Sequence, residues 1–502
     1  MFALNASLKS TAYPHGKVAW SRCATACISS VNSALWHWTS AKWEGAMNNV
    51  PVDLVVVGAG PAGMAAACQA RAQGLTVVVL DEQPALGGQI YRRIESAPEA
   101  IQHILGADYV AGRALAREFK ASGAIHITGA VVWNVAASGE INYIANGHNE
   151  DIVGKYVVLA SGAMERPFPI KGWTLPGVMG AGAGQIMLKG AGALPTEPVV
   201  LAGCGPLLYL LAWQYLRAGV AIKALVDTTP QSAYVRALRE AAGALKGWRD
   251  LAKGMKLLAS IKRHGVKVYS GATDLAIVGD HAAQGIQFKH RGQRTSVASS
   301  LVLLHQGVVP NAQLSLSTGA AHYWSPEQLC WLPHTDEHGR LGDTVIYVAG
   351  DSRGIVGAKA SAVQGRLAAL AIGAQLGSLQ GLGHQLAGLA QQLENATSIR
   401  KFLDVLYRPQ EENRIPADDN VLVCRCEEVT AGQIRSYVAL GCHGPNQTKA
   451  FGRCGMGPCQ GRFCGLTVTE IIAKTRNVDP NEVGHYRVRA PIKPILLGEL
   501  TH

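Results

Sequence analysis

Short apolar runs alternate with stretches of helical spacing along most of this 502-residue chain. Residues 52–57 (VDLVVV) form a nearly all-apolar, β-branched run, as expected of a parallel strand buried on both faces. It ends in Gly58-Ala59-Gly60-Pro61-Ala62-Gly63, residues 62–71 read as a helix, and residues 76–80 form a second apolar strand running into Asp81-Glu82. In such a unit the first glycine permits the tight turn, the second lets a pyrophosphate approach the backbone, and the third lets helix and strand pack closely. The helix N-terminus favours phosphate, and an acid about 20 residues on accepts from an adenosine ribose. Strand, glycines, helix, strand and acid in that order predict a dinucleotide site.

Further along, residues 111–121 read as a helix, residues 125–133 as short strands, and residues 164–184, rich in glycine and proline, as a crossover. A second strand–turn–helix unit begins at Pro198. Residues 199–202 form its strand, Gly203-Cys204-Gly205-Pro206-Leu207-Leu208 its turn, and residues 221–226, ending at Asp227, its next strand. Leu208 stands where a third small residue is usual, which marks this unit as degenerate. Residues 223–268 read as largely helical, residues 302–307 as a buried strand, and residues 357–370 as a helix. Residues 376–414 read as a connector with a helical piece at 399–407. The end, around residues 486–494, reads as a basic extended tail lying over another surface.

Composition narrows the class. Charged residues make up 16% and hydrophobic ones 48%, with 57 glycines, which is an apolar, turn-rich α/β composition. The net charge of +11 suits anionic ligands or an acidic partner, but no basic stripe interleaved with aromatics points to nucleic acid. No apolar run reaches 18 residues, so no membrane-spanning segment is expected. The first 50 residues hold Trp20, Trp36, Trp38 and Trp43 without clear periodicity. They read as an appendage, or as sequence upstream of a translation start at Met47.

Of 11 cysteines, six fall between Cys424 and Cys464, a clustering that reads as metal chemistry. Cys424-Arg425-Cys426, then Cys459 and Cys464, supply four thiolates, enough for a 2Fe-2S cluster or a structural zinc. C-x-C is awkward for a zinc knuckle and favours the cluster. Cys454 is a rival ligand, and Cys442 exceeds the four needed. Glycines in Gly455-Met456-Gly457-Pro458 would let backbone N–H groups turn toward the sulfurs.

Several motifs carry a family resemblance. Gly87-Gly88-Gln89, residues 157–163 (VVLASGA) and residues 344–351 (TVIYVAGD) resemble the remaining signatures of two-dinucleotide-binding-domain, thioredoxin-reductase-like flavoproteins. The resemblance implies FAD at the first site, held by Gly58, Ala59, Gly60, Pro61, Ala62, Gly63, Asp81, Glu82, Gly88, Gln89, Ala160, Gly350 and Asp351. Glu82 is there the better ribose ligand, and Asp351 meets the ribityl chain. Residues 424–464 resemble the bacterioferritin-associated-ferredoxin-like 2Fe-2S domain, which points to Cys459 and Cys464 beside Cys424 and Cys426.

The expected fold class is thus α/β, a two-dinucleotide-domain flavoprotein followed by a small 2Fe-2S domain. The FAD domain spans 51–165 and 311–375, the degenerate nucleotide domain 166–310, the connector 376–420, the cluster domain 421–480 and the tail 481–502. With LDEQPALGGQIYR, ASGAMERPFP and GMGPCQGR, the whole resembles the A subunits of opine oxidases. More distantly it resembles the B subunit of hydrogen cyanide synthase and the α subunits of hydroxyproline and proline dehydrogenases.

The resemblance implies an electron-transfer subunit that works with a glycine-oxidase-like flavoprotein partner, a small ferredoxin-like subunit and a downstream acceptor. It leaves room for FMN at a subunit interface. The implied location is cytoplasmic, with peripheral contact to a membrane respiratory chain as an option. Glu165, Arg166 and His305 are candidates by position alone, and no catalytic residue is assigned. The alternatives are the corresponding subunit of a cyanide synthase or D-hydroxyproline dehydrogenase, or a stand-alone NAD(P)H-dependent reductase.

Overall fold

The computed structural model describes residues 52–377 and 382–500. The tryptophan-rich segment and the Met47 start lie outside the described residues. Val52–Val57, the helix Pro61–Ala72 and Val77–Asp81 form the expected βαβ unit. Val52–Val57 pairs in parallel with Val77–Asp81 on one side and with His148–Leu159 on the other. Ile125–Thr128 extends the parallel layer at one edge, and Ile346–Val348 joins it beside His148–Leu159. The first half of that long strand runs on antiparallel to Glu140–Ala145, which pairs with Val131–Val135.

Alternation along each strand divides the core in two. Leu54, Val56, Val77 and Val79 face the helices, while Val55, Val57, Val78 and Leu80 pack on the opposite face. The helix Ala358–Gln375 crosses Pro61–Ala72 so closely that a Cβ on Gly365 would lie 2.0 Å from the Ala62 carbonyl oxygen.

The second domain is a five-stranded parallel sheet in the order Lys267–Ser270, Ile222–Asp227, Val199–Cys204, Val302–Gln306, Val178–Gly180. The helical reading over 223–268 is corrected at both ends. Strand continues to Asp227, the helices lie within Gln231–Arg263, and the next strand begins at Lys267, because burial between parallel neighbours outweighs helical propensity at these edges. The crossover between the domains is a two-stranded link, Ala163–Glu165 antiparallel to Val308–Pro310.

The connector is helical over Leu382–Thr397 and Arg400–Leu406. It leads into a small domain in which Leu422–Cys424 pairs with Val429–Thr430, followed by Ala431–Ala439, Pro445–Gly452 and Gly465–Arg476. Thr430 and Gln433 cap the first of these helices reciprocally, Thr430 Oγ1 accepting from Gln433 N at 3.3 Å and Gln433 Oε1 accepting from Thr430 N at 2.9 Å. A buried Arg414–Glu470 ion pair ties the connector to this domain. Trp173 Nε1, donating to the Leu422 carbonyl at 2.8 Å, ties it to the domain crossover.

Candidate functional site

The first βαβ turn has the cradle shape a pyrophosphate needs. Gly58 has φ +105°, and a Cβ there would lie 2.6 Å from the Ala160 carbonyl oxygen, so this crowded turn admits only glycine. On Gly63 a Cβ would lie 1.8 Å from the Gly58 oxygen, so the helix sits against its strand through a missing side chain. Gly60 differs: a Cβ there meets nothing nearer than Gly88 Cα at 3.9 Å, and the space in front of it stays open. Gly60 also begins the 12-residue helix with no side-chain cap, leaving its first turn to a ligand.

The two acids after the second strand have separate tasks. Asp81 is 6% exposed, and its Oδ2 accepts from Ala59 N at 2.6 Å while Oδ1 accepts from Gln83 N at 2.7 Å. It therefore holds the glycine turn in place from below. Glu82 points outward and forms an ion pair with Lys493 of the tail.

At the third motif, Asp351 Oδ1 accepts from Val356 N and Gly357 N, each at 2.9 Å, which fixes the loop entering the helix Ala358–Gln375. Among the described residues its Oδ2 has no hydrogen-bond partner, so one carboxylate oxygen is free for a ribityl hydroxyl. The cradle, the uncapped helix and this free oxygen fit FAD. Once bound, the flavin supplies the two-electron chemistry, while the residues described here bind and orient it.

In the small domain the Sγ atoms of Cys424, Cys454 and Cys464 lie within 4.8 Å of one another, and Cys426 Sγ lies 3.6 Å from Cys459 Sγ. The neighbouring thiols of Cys454 and Cys464, and then the backbone N–H groups of Gly455 and Glu427, bring the Cys424 thiol down to about 2. A thiolate is what iron binds. Of the four sequence-proposed cysteines, Cys424 and Cys464 thus share one group with Cys454, while Cys426 and Cys459 form a pair beside it. The spacing of Cys454 to Cys459, C-x4-C, repeats that of Cys459 to Cys464, so spacing could not separate them. Cys442 turns away, its thiol donating to the Gly444 carbonyl at 3.2 Å.

Glycines at 455 and 461, both with positive φ, accommodate the Tyr486 ring, which a Cβ on either would strike at 2.5 or 2.4 Å. The Tyr486 hydroxyl donates to Cys454 Sγ at 3.3 Å. The thiol set and the backbone donors suit a 2Fe-2S cluster.

The crevice of the second domain is filled by the chain itself. Nucleotides bind parallel sheets outside the carboxyl ends of the strands. Here the Cys204 thiol faces Gln306 Oε1 at 3.2 Å and the Tyr407 carbonyl at 3.6 Å. Asp227, the position of a ribose-binding acid, is 2% exposed and accepts from Thr229 N at 2.8 Å. Tyr407 packs against Tyr209 with ring centroids 6.1 Å apart.

His305 is 1% exposed and its Nδ1 lies 2.6 Å from Glu165 Oε1, an oxygen that also accepts from Gly182 N at 3.0 Å in the first turn of the helix Ala181–Ala191. Arg166 donates to the Leu329 and Gln328 carbonyls. These three position-only candidates are thus engaged in joining elements to one another. Sequence reasoning missed Lys493, Tyr486 and Tyr407, because their partners are between 32 and 411 residues away.

Comparison with known proteins agrees with this architecture. Residues 52–372 match the pyridine nucleotide-disulphide oxidoreductase family, and residues 422–474 the BFD-like [2Fe-2S] binding domain. The A subunit of opine oxidase from Rhizobium meliloti is 45% identical over 458 residues, covering 89% of this chain and 87% of that protein. The protein of the same name from Agrobacterium tumefaciens (strain Ach5) is 45% identical over 90% and 91%. The HcnB protein of hydrogen cyanide synthase from Pseudomonas protegens is 28% identical over 88% and 96%.

The crystal structure of L-proline dehydrogenase from P. horikoshii shares the fold, with TM-score 0.66 at 18% identity, over 90% of this chain and 80% of that one. Among the described residues no helix is long and apolar enough to cross a membrane. With an FAD-binding fold, a gathered cysteine set and relatives of this identity and coverage, the chain belongs to the family of opine oxidase A subunits, and is a flavin and 2Fe-2S oxidoreductase component.

Proposed function

We propose that this chain is the electron-transfer component of a multi-subunit opine oxidase, carrying FAD and a 2Fe-2S cluster. A partner flavoprotein of the glycine-oxidase type oxidises the C–N bond of octopine- or nopaline-type secondary amines. The amine loses two electrons and two protons to become an imine, and water then cleaves the imine into an amino acid and a 2-oxo acid. The electrons leave through this chain to a downstream acceptor.

The observation that carries the reading is the pairing of an open first crevice with a filled second one. FAD would be held at Gly58–Gly63 with Glu82, Gly88, Gln89, Ala160, Gly350 and Asp351, whereas in the second domain Tyr407 meets Cys204 and Asp227 is engaged with Thr229, which disfavours a nicotinamide nucleotide there. Cys204 has no C-x2-C partner, so a dithiol relay is not available either. A one-electron centre in the adjoining domain, held by Cys424, Cys426, Cys459 and Cys464, supplies the exit. The +11 charge suits dicarboxylate-bearing substrates and acidic partners without choosing among them. A ferredoxin-like third subunit and an interfacial FMN are compatible with this arrangement.

The test is a substrate screen on the reconstituted complex, following dye reduction with octopine, nopaline, glycine and D-hydroxyproline. Opine-dependent reduction is expected, together with a flavin that NADH and NADPH leave oxidised. Equal octopine turnover by the isolated chain would end the division of labour. Glycine-dependent reduction with cyanide release, and none with either opine, would move the chain to the cyanide synthase function.

A further inference from the structure

We infer that the C-terminal tail is part of the dinucleotide site, with Lys493 acting as the positioning residue for the ribose-binding carboxylate of Glu82. The inference rests on the reading of the first crevice as the FAD site, and it extends that site to a segment 411 residues away in sequence.

The tail is anchored at both ends before it reaches Glu82. Tyr486 is 4% exposed and belongs to the core of the cluster domain. Val488 and Ile492, at 7% and 3% exposed, belong instead to the core on the outer face of the flavin-domain sheet, packed with Val57, Leu80 and Val132. Ile492 N donates to the Trp133 carbonyl at 3.0 Å, so the backbone next to Lys493 is fixed to the flavin domain. From the other side, Gln460 donates to the Pro491 carbonyl and Arg462 Nη2 to that of Ile492, at 3.2 Å in the latter case. These donors lie one and three residues after Cys459.

A lysine on a loose tail would sample many positions and contribute little. Here the residue before it is clamped, so its ammonium is delivered to one carboxylate. Its side chain is 24% exposed and that of Glu82 is 52% exposed, so the pair sits at the rim of the site where solvent weakens but does not abolish it.

Glu82 follows the last residue of Val77–Asp81, the place from which an acid accepts from the adenosine ribose in this fold. Asp81 cannot substitute, because both its oxygens are bound to backbone N–H groups. Among the described residues, Lys493 is the partner that the Glu82 carboxylate meets. Without the cation its side chain would lose rotamer freedom on meeting the ribose, a cost that the ion pair meets beforehand. The same tail also touches the loop carrying Cys459, so cofactor ribose and cluster loop share one scaffold.

The experiment is FAD titration of the deflavinated full-length chain for wild type, Lys493→Ala, Lys493→Arg, Glu82→Gln and the Lys493→Ala/Glu82→Gln double variant. Iron content is measured alongside. Lys493→Ala should weaken FAD binding roughly two- to fivefold, the range of a partly exposed ion pair. Lys493→Arg should restore it, and Lys493→Ala should add nothing on the Glu82→Gln background. Iron should be unchanged in all five.

Wild-type affinity in Lys493→Ala, or losses that simply multiply in the double variant, would overturn the inference. Loss of iron in Lys493→Ala would also overturn it, by showing that the tail acts only as a clasp on the cluster domain. If Glu82→Gln itself binds FAD like wild type, it is the reading of the first crevice that fails, and the two failures are thereby told apart.

Discussion

Two glycines in one turn, three residues apart, should fail in opposite ways. A Cβ on Gly63 would stand 1.8 Å from the Gly58 carbonyl oxygen, 3.0 Å from its carbon and 3.1 Å from Val56 Cγ1. The oxygen is backbone in a turn already at φ +105°, so it cannot swing aside, and the helix would have to withdraw from its strand by roughly 1 Å or more. Overpacking of this kind costs about 1–3 kcal/mol, and Gly63→Ala should therefore lower the melting temperature of the flavin-free protein by several degrees.

Gly60 has φ −76° and a Cβ with no protein atom within 3.8 Å, so Gly60→Ala should leave that melting temperature unchanged or raise it, as Gly→Ala does at compatible positions, by about 0.4–1 kcal/mol. Its Cβ, and more so that of Gly60→Val, occupies the space through which the pyrophosphate approaches. The purified Gly60→Val protein should be folded and flavin-poor. Thermal melting of the flavin-free form, with flavin absorbance of the isolated protein, reads both effects. Full flavin content in Gly60→Val, or an unshifted melting temperature in Gly63→Ala, would refute this division between packing and binding.

Asp81 and Glu82 should divide likewise. Asp81→Ala leaves the buried Ala59 N–H without its acceptor and should cost about 1–3 kcal/mol of stability by urea unfolding, while Glu82→Ala should leave stability nearly unchanged and weaken FAD in titration. The reverse pattern would show that Asp81 is the ribose ligand. In the cluster domain, Cys454 lies with Cys424 and Cys464 in one group and Cys426 lies against Cys459, and we expect Cys424, Cys426, Cys459 and Cys464 to be the four ligands of the cluster. Serine at any of these four should therefore abolish stoichiometric iron and acid-labile sulfide. Cys454→Ser should retain both, and loss of iron in that variant would make Cys454 a ligand.

The chain's local chemistry is written in the sequence because it depends on neighbours in sequence. The run at 52–57, the glycines at 58, 60 and 63 and the acids at 81 and 82 form one βαβ unit whose pattern is readable within about 30 residues, even though the crowding that demands glycine at 58 comes from Ala160. Near-continuous apolar runs likewise predicted strands buried on both faces. The cysteine run identified its chemistry for the same reason, since thiolates at short spacing have few uses other than binding metal.

Tertiary structure decided what depends on distant partners. Spacing alone could not rank Cys454 against Cys464, because each is five residues from Cys459 and only the folded loop brings both to Cys424. Leu208 hinted that the second nucleotide unit was degenerate. Its closure, however, came from Tyr407 on a connector about 200 residues downstream, whose carbonyl meets the Cys204 thiol. Lys493 appeared in the sequence as one cation in a basic tail. Burial of Val488 and Ile492 against the flavin-domain sheet, a hydrophobic contact with no local signature, is what places its charge on Glu82.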